Sequence, residues 1–462
     1  MKRLKLFLSI FIFILGLIYL FLIPPWQSPD ETHFFGYGVM LAEDAELRSE
    51  EHEKISREIM ESMATFHSWK YMNFIQPDPF PKYLIRLPFY GGMFGLSRSR
   101  APLYYTTIAS IIKYLNIKKT INQFYIVKCF LFFLFIFTVY FTYLSAKLVL
   151  KNNIGYILAC VCFVGMLPQF LIISTSVNPA NLVVFFSSVF LYVILYSLYR
   201  GKNLVALLAG PLIIGLGVFT HRAALFMIPP FLVYVLILFI RSLKDKRSLF
   251  KYLLVLSLLV VLIVGLYFTS SYVLPDSFLE KVNRESGVKQ LKSQWNRFAH
   301  YFTEGISTDN SRSVSQFMDG FFKSFWFFAG WLRFVYVVNI YAVLKLVCLL
   351  SVLGVFKYLY SYMKRREVSV DFQSFLILIA AGIPIIFGTL IHSFPKHFAA
   401  QGRYIFPAIM ALGLLFVLGL KEITPKKMEK WPPVFIICGF VVLNVYTLFH
   451  VLVRVFYLFT NR

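Results

Sequence analysis

Apolar runs long enough to cross a bilayer recur along the whole chain, separated by short segments in which Lys and Arg collect. An α-helix rises about 1.5 Å per residue, so roughly 20 apolar residues span the ~30 Å hydrocarbon core. The pattern predicts an all-α polytopic membrane protein of about eleven transmembrane helices. They fall at about 6–23, 124–146, 154–173, 182–199, 203–220, 223–240, 252–271, 336–356, 373–391, 404–420 and 433–453. The first run follows Met1-Lys2-Arg3-Leu4-Lys5. It is longer than the apolar core of a signal peptide and no small-residue cleavage site follows, so it reads as an uncleaved helix.

The polar segments set the orientation. With the basic N-terminus inside, alternation puts Lys147 and Lys151, Arg200 and Lys202, Arg241 to Lys251, Lys357 to Arg366 and Lys421 to Lys430 on the inner side. Together with the N-terminus, this side holds 20 Lys and Arg against five Asp and Glu, the bias that the positive-inside rule describes. The outer side receives a first extracytoplasmic loop over 24–123 and a second large one over 272–335. It also receives the turns Ser174 to Asn181, Thr220-His221-Arg222, and His392 to Arg403. The whole chain, 1–462, reads as one transmembrane domain.

Composition changes this picture in one respect. Only 15% of the residues are charged and 58% are apolar, against about a quarter charged in a soluble domain. The net charge of +24 invites a nucleic-acid reading, but the charge is not spread as such a reading needs. Residues 24–100 carry 11 acidic and 8 basic side chains, net −3, and the excess lies between the spans. No nucleic-acid partner is expected. The five cysteines all sit inside apolar runs without metal-site spacing, and read as small hydrophobic residues.

Candidate chemistry gathers on the outer side. Pro24-Pro25-Trp26 ends the first helix and Pro29-Asp30-Glu31-Thr32-His33 follows at once, which pins two carboxylates at the membrane surface. A carboxylate held there, partly desolvated, is suited to take a proton from a substrate hydroxyl. Further along the loop, Glu50 to Met63 reads as an amphipathic helix capped by Ser49, with Ile55, Ile59 and Met63 on one face. The stretch 102–115 reads as a second helix, too short to span and lying in the interface. Trp326, Trp331 and the phenylalanines around them form an aromatic run that suits either an interfacial belt or a platform for a sugar ring. None of the 22 carboxylates lies mid-span, which argues against a proton-coupled transporter. Lys345 is the one ionisable side chain expected at depth, facing a cavity or snorkelling to an interface.

Four motifs then stand out: Pro29-Asp30-Glu31 with His33; Ser176-Val177-Asn178-Pro179; Ser324-Phe325-Trp326 with Gly330-Trp331; and Gln401-Gly402-Arg403-Tyr404 with Pro407. In this order, spanning nearly the full length, they resemble a bacterial family of polytopic membrane proteins of unknown function. That family is related to the GT-C superfamily, whose members are glycosyltransferases that use polyprenyl-phosphate sugars. The resemblance implies a GT-C-like fold in a bacterial cytoplasmic membrane, with the active face outward. It implies transfer of a sugar from a polyprenyl-phosphate carrier to a glycan or glycolipid acceptor of the cell envelope. Asp30 is then the general base, while Glu31 orients the acceptor or holds Arg222. Arg403, with Arg222 behind it, binds the donor phosphate through the planar guanidinium fork. His33, Asn178, Ala180, Asn181, Trp326, Trp331, Gln401 and Tyr404 complete the substrate site, and the chemistry admits a divalent metal.

One position departs from that pattern. The family commonly carries an aspartate after Asn-Pro; this chain has Ala180, which removes whatever that acid would hold and implies impaired transfer. A flippase or transporter for lipid-linked saccharides, a polymerase or ligase of such saccharides, and a non-catalytic membrane scaffold are the rival readings. The first needs a central polar cavity that these apolar spans barely supply.

Overall fold

The computed structural model describes residues 2–46, 49–72, 102–151, 153–242, 314–329, 334–365, 369–393 and 401–458. All regular elements among them are helices, joined by a single isolated bridge between Ala329 and Phe334. In chain order these are α1 (Lys2–Leu22), α2 (Glu31–Ala42), α3 (Glu50–Thr65), α4 (Ser68–Met72), α5 (Pro102–Leu115) and α6 (Thr120–Val149). Then come α7 (Ile154–Gly165), α8 (Pro168–Ser174), α9 (Ala180–Arg200), α10 (Asn203–Thr220) and α11 (Ile228–Ser242). The last are α12 (Val314–Trp326), α13 (Val338–Arg365), α14 (Val370–Ser393), α15 (Ile409–Ile423) and α16 (Trp431–Tyr446). Short 3-10 turns at Arg222–Met227 and Gly402–Ala408 lead into α11 and α15, and α16 runs on as a π-helix over Thr447–Leu458.

Among the described residues, nine helical stretches are long and apolar enough to cross a membrane. The chain is a polytopic helical membrane protein. The span expected at 252–271 and most of the loop expected at 272–335 lie outside the described residues.

The stretch expected to span over 154–173 is a bent pair of helices. α7 and α8 meet at 54°, because Pro168 opens α8 and the residue before a proline is pushed out of helical backbone. The break exposes the Met166 carbonyl inside the bundle, where an unpaired polar group would be costly. Asn444 donates to it at 2.7 Å, and Tyr19 donates in turn to the Asn444 amide oxygen at 2.9 Å. A sequence reading that counts apolar residues cannot separate a bent pair of helices from a straight span.

The first loop builds a small core of its own against one end of α6. Ser49 caps α3 by accepting from the His52 amide, and Ile55, Ile59 and Met63 are buried as their spacing predicts. They meet Tyr104, Tyr105 and Ile108 of α5 and Phe124, Val127 and Leu131 of α6 in a single cluster. A buried side chain of this size contributes roughly 1.5–3 kcal/mol, so the layer is held by packing. Helix α2 adds a third helix to the two expected. It carries no apolar stripe because buried positions fall all around it, Glu31 and Thr32 included. At Gly38 a Cβ would come within 2.8 Å of Ile108; glycine lets α2 and α5 touch.

Lys345 is matched by an opposite charge. Its side chain is half-exposed and pairs at 2.7 Å with Asp319 of α12, which Lys323 also neutralises.

Candidate active site

The segment between α1 and α2 is a tight double bend. Trp26 and Asp30 both have φ of 67°, the left-handed region that costs an ordinary L-residue roughly 1–2 kcal/mol. Packing and hydrogen bonds hold it there. The Trp26 ring lies 4.3 Å from that of Phe124 and 5.5 Å from that of Phe35, and its indole N–H donates to Ser62 at 3.0 Å. Ser68 donates to the Pro25 carbonyl at 3.1 Å.

Glu31 then ties the bend to the second motif. Its Oε2 accepts the Ser28 amide at 3.1 Å, closing the bend three residues back. Its Oε1 accepts the Val177 amide at 2.9 Å, 146 residues away in the chain. The carboxylate is 3% exposed, and Lys128 of α6 is its buried counterpart. Burial pushes the Glu31 carboxyl up from its ordinary value, while Lys128 and the backbone N–H groups pull it down less strongly. Lys128 also donates to the Leu20 carbonyl at 2.9 Å, so it caps the end of α1. Glu31 is therefore a structural tie. Arg222 is exposed at the start of its 3-10 turn.

The third and fourth motifs meet in the same way. The Gly402 amide donates to the Ser324 hydroxyl at 2.7 Å. A Cβ at Gly402 would lie 2.4 Å from the Phe325 backbone nitrogen, so no other residue fits. This contact fixes the next residue, Arg403, whose side chain is 93% buried.

Arg403 and Asp30 bring the two halves together. Arg403 Nη2 lies 3.8 Å from Asp30 Oδ2, and the Asp30 side chain is 59% exposed. Arg403 Nε and Nη1 have no hydrogen-bond partner although they are fully buried. They border a cleft whose polar wall is Gln27, Ser28, Gln169 and Arg403 and whose apolar wall includes Ile23 and Phe456. Both amide atoms of Gln27 are likewise buried and unpartnered, as is Gln401 Oε1. A buried polar group without a partner costs about 1–3 kcal/mol, more if charged, and native folds hold few of them. On this cleft four such atoms come from two residues, Arg403 and Gln27. The free volume in the cleft is about 10 Å3, room for roughly one water, so a larger ligand enters only as the walls part.

The other candidate residues are placed as follows. Asn178 accepts the Ala180 amide at 2.8 Å, and Asn181 donates to the Ile173 and Ser176 carbonyls at 2.8 and 2.9 Å. Their polar groups build the turn before α9, and Ala180 is the first residue of that helix. His33 is half-buried; burial pushes its imidazole down and Asp30 opposes the shift. Tyr404 is 39% exposed, with the Arg403 guanidinium 5.5 Å from its ring. Trp326 is no open platform: it is 2% exposed and packed among Phe163, Phe325 and Phe440. Trp331 lies outside the described residues. Among the described residues no three His, Cys, Asp or Glu side chains are grouped to hold a metal ion, so no step is assigned to one. Gln27, Lys128 and Gln169 were not expected from sequence.

No protein-family model matches the chain, and no curated protein is significantly similar to it. What the chain does has to be read from its own residues.

Proposed function

We propose that the chain is a membrane glycosyltransferase of GT-C type, moving a sugar from a polyprenyl-phosphate carrier to a glycan or glycolipid acceptor on the outer face of a bacterial cytoplasmic membrane. One observation carries the reading. An exposed carboxylate, Asp30, stands 3.8 Å from a buried arginine with two unused N–H donors. Such a transfer needs these two groups side by side. The acceptor oxygen forms a bond to the anomeric carbon as the carbon–phosphate-oxygen bond breaks. The acceptor proton passes to Asp30, and the phosphate leaves with the bonding electrons, its charge met by Arg403. The four motif resemblances support the same reading, and Ala180 marks where this chain departs from that pattern.

The experiment is turnover of extracted polyprenyl-phosphate sugars by the purified protein in liposomes. Asp30→Asn is expected to lower transfer by about 10²–10⁴ while donor binding survives, since the amide keeps the shape but takes no proton. Ala180→Asp is the background to use where wild-type turnover is slow. Asp30→Asn with most of its turnover intact sinks the base assignment. Lipid-linked sugar that crosses the bilayer unconsumed would replace the transferase by a flippase.

A further inference from the structure

We infer that Gln27 is a second phosphate ligand, acting with Arg403 on the phosphate ester of an apolar alcohol; the inference rests on the donor site proposed above and extends it. Gln27 is 3% exposed, yet neither its amide nitrogen nor its amide oxygen has a partner. Its neighbours show that this is not general looseness of the segment. The Pro25 carbonyl takes the Ser68 hydroxyl, the Trp26 indole N–H goes to Ser62, and the Ser28 amide goes to Glu31. Among these groups the Gln27 side chain is the one left unsatisfied, and it lines the same cleft as a buried guanidinium in the same condition. Two buried side chains with free donors on one cleft are what an anion site offers once its walls part.

The chemistry of the ligand follows from the donor count. Arg403 offers Nε–H and one Nη1 edge, and Gln27 offers the N–H bonds of Nε2. These point to an anion with several oxygens around one centre, and guanidinium geometry suits phosphate. Gln27 Oε1 remains to accept from a hydroxyl next to that phosphate. On the other wall, Ile23, Ile172 and Phe456 face the same cleft, so the group esterified to the phosphate on that side is apolar.

The test is binding of farnesyl phosphate to the purified protein, with farnesol as the uncharged control, so no turnover is needed. Wild type is expected to prefer the phosphate. Arg403→Gln should weaken farnesyl phosphate binding by about tenfold or more, and Gln27→Met by about three- to tenfold. Gln27→Glu keeps an acceptor, loses the donor and adds a negative charge, and should weaken it by at least about tenfold. Farnesol binding should not change in any of them. Should Gln27→Glu misfold, which its melting temperature would reveal, Gln27→Met decides alone. Gln27 variants that bind farnesyl phosphate as wild type does, while Arg403→Gln does not, overturn the Gln27 assignment and leave the donor site standing. A wild-type protein with no preference for farnesyl phosphate over farnesol overturns both.

Discussion

Helix α6 carries a polar cluster near each end, and the two are built on opposite principles. At its C-terminal end, Asp371 accepts from Lys151 at 2.7 Å and from Tyr199 at 2.9 Å, Tyr199 shares its hydroxyl with Ser374, and Arg241 is bonded to Gln373. These groups complete one another, and the Lys151 side chain is 65% exposed. At the N-terminal end Glu31 and Lys128 are satisfied too, by the Ser28 and Val177 amides and by the Leu20 carbonyl, but they support a second layer that is not. Arg403 and Gln27 are buried with donors unused, and Asp30 faces solvent beside them. A cluster that satisfies itself holds helices together. One that is buried and unsatisfied is arranged around something else.

The comparison breaks first at Lys128. If the charge of Lys128 helps keep Glu31 in place beneath the unsatisfied layer, removing it leaves the buried carboxylate with the Ser28 and Val177 amides alone, a loss of about 1–3 kcal/mol. Lys128→Met should lower the melting temperature more than any single change at the Asp371 cluster. Glu31→Gln placed on Lys128→Met should cost less than the sum of the two alone, because the buried charge goes with its partner. Strictly additive losses would mean that the two side chains do not act as a unit.

How much of this was legible beforehand depended on whether a residue's role is local. Asp30 and Arg403 could be picked out because a Pro-Asp-Glu at a helix exit and a Gly-Arg in a turn are unusual in an apolar chain. The amphipathic helix of 50–63 was legible from its stripe and its Ser49 cap. Lys128 was not, because its partners are the Leu20 carbonyl and Glu31, about a hundred residues upstream. Gln27 carries no pattern at all; only the absence of partners marks it. Trp326 shows the converse failure. An aromatic run near a span end reads alike whether it forms a belt, a platform or, as here, the core.

A smaller effect sharpens the comparison at Gly402. A Cβ there meets the backbone of Phe325 rather than a flexible side chain, so α12 and the 3-10 turn must separate. Overpacking of this kind costs about 1–3 kcal/mol. Gly402→Ala should lower the melting temperature by that modest amount, yet weaken farnesyl phosphate binding as much as Arg403→Gln does, because Arg403 is displaced with the turn. Normal binding in a destabilised Gly402→Ala protein would show that Arg403 is placed by its own packing instead.

The smallest effect is expected at the satisfied end, and it is the control on which the contrast depends. Asp371 is the hub of its cluster, with Lys151, Tyr199 and Ser374 around it, so a count of contacts ranks it above Asp30. Exposure of the pair limits what those contacts are worth. With its side chain 29% exposed and that of Lys151 65% exposed, water takes over the freed hydrogen bonds. Exposed pairs are worth about 0–1 kcal/mol, and salt screens them. Asp371→Asn keeps a side-chain acceptor for Tyr199 and loses only the charge seen by Lys151. Its melting temperature should therefore fall slightly at low ionic strength and match wild type at about 1 M salt, where the screening length is roughly 3 Å. Farnesyl phosphate binding should be unchanged at either salt. Were Asp371→Asn to weaken that binding as Gln27→Glu does, the two ends of α6 would be coupled, and a satisfied cluster could no longer be taken as merely structural.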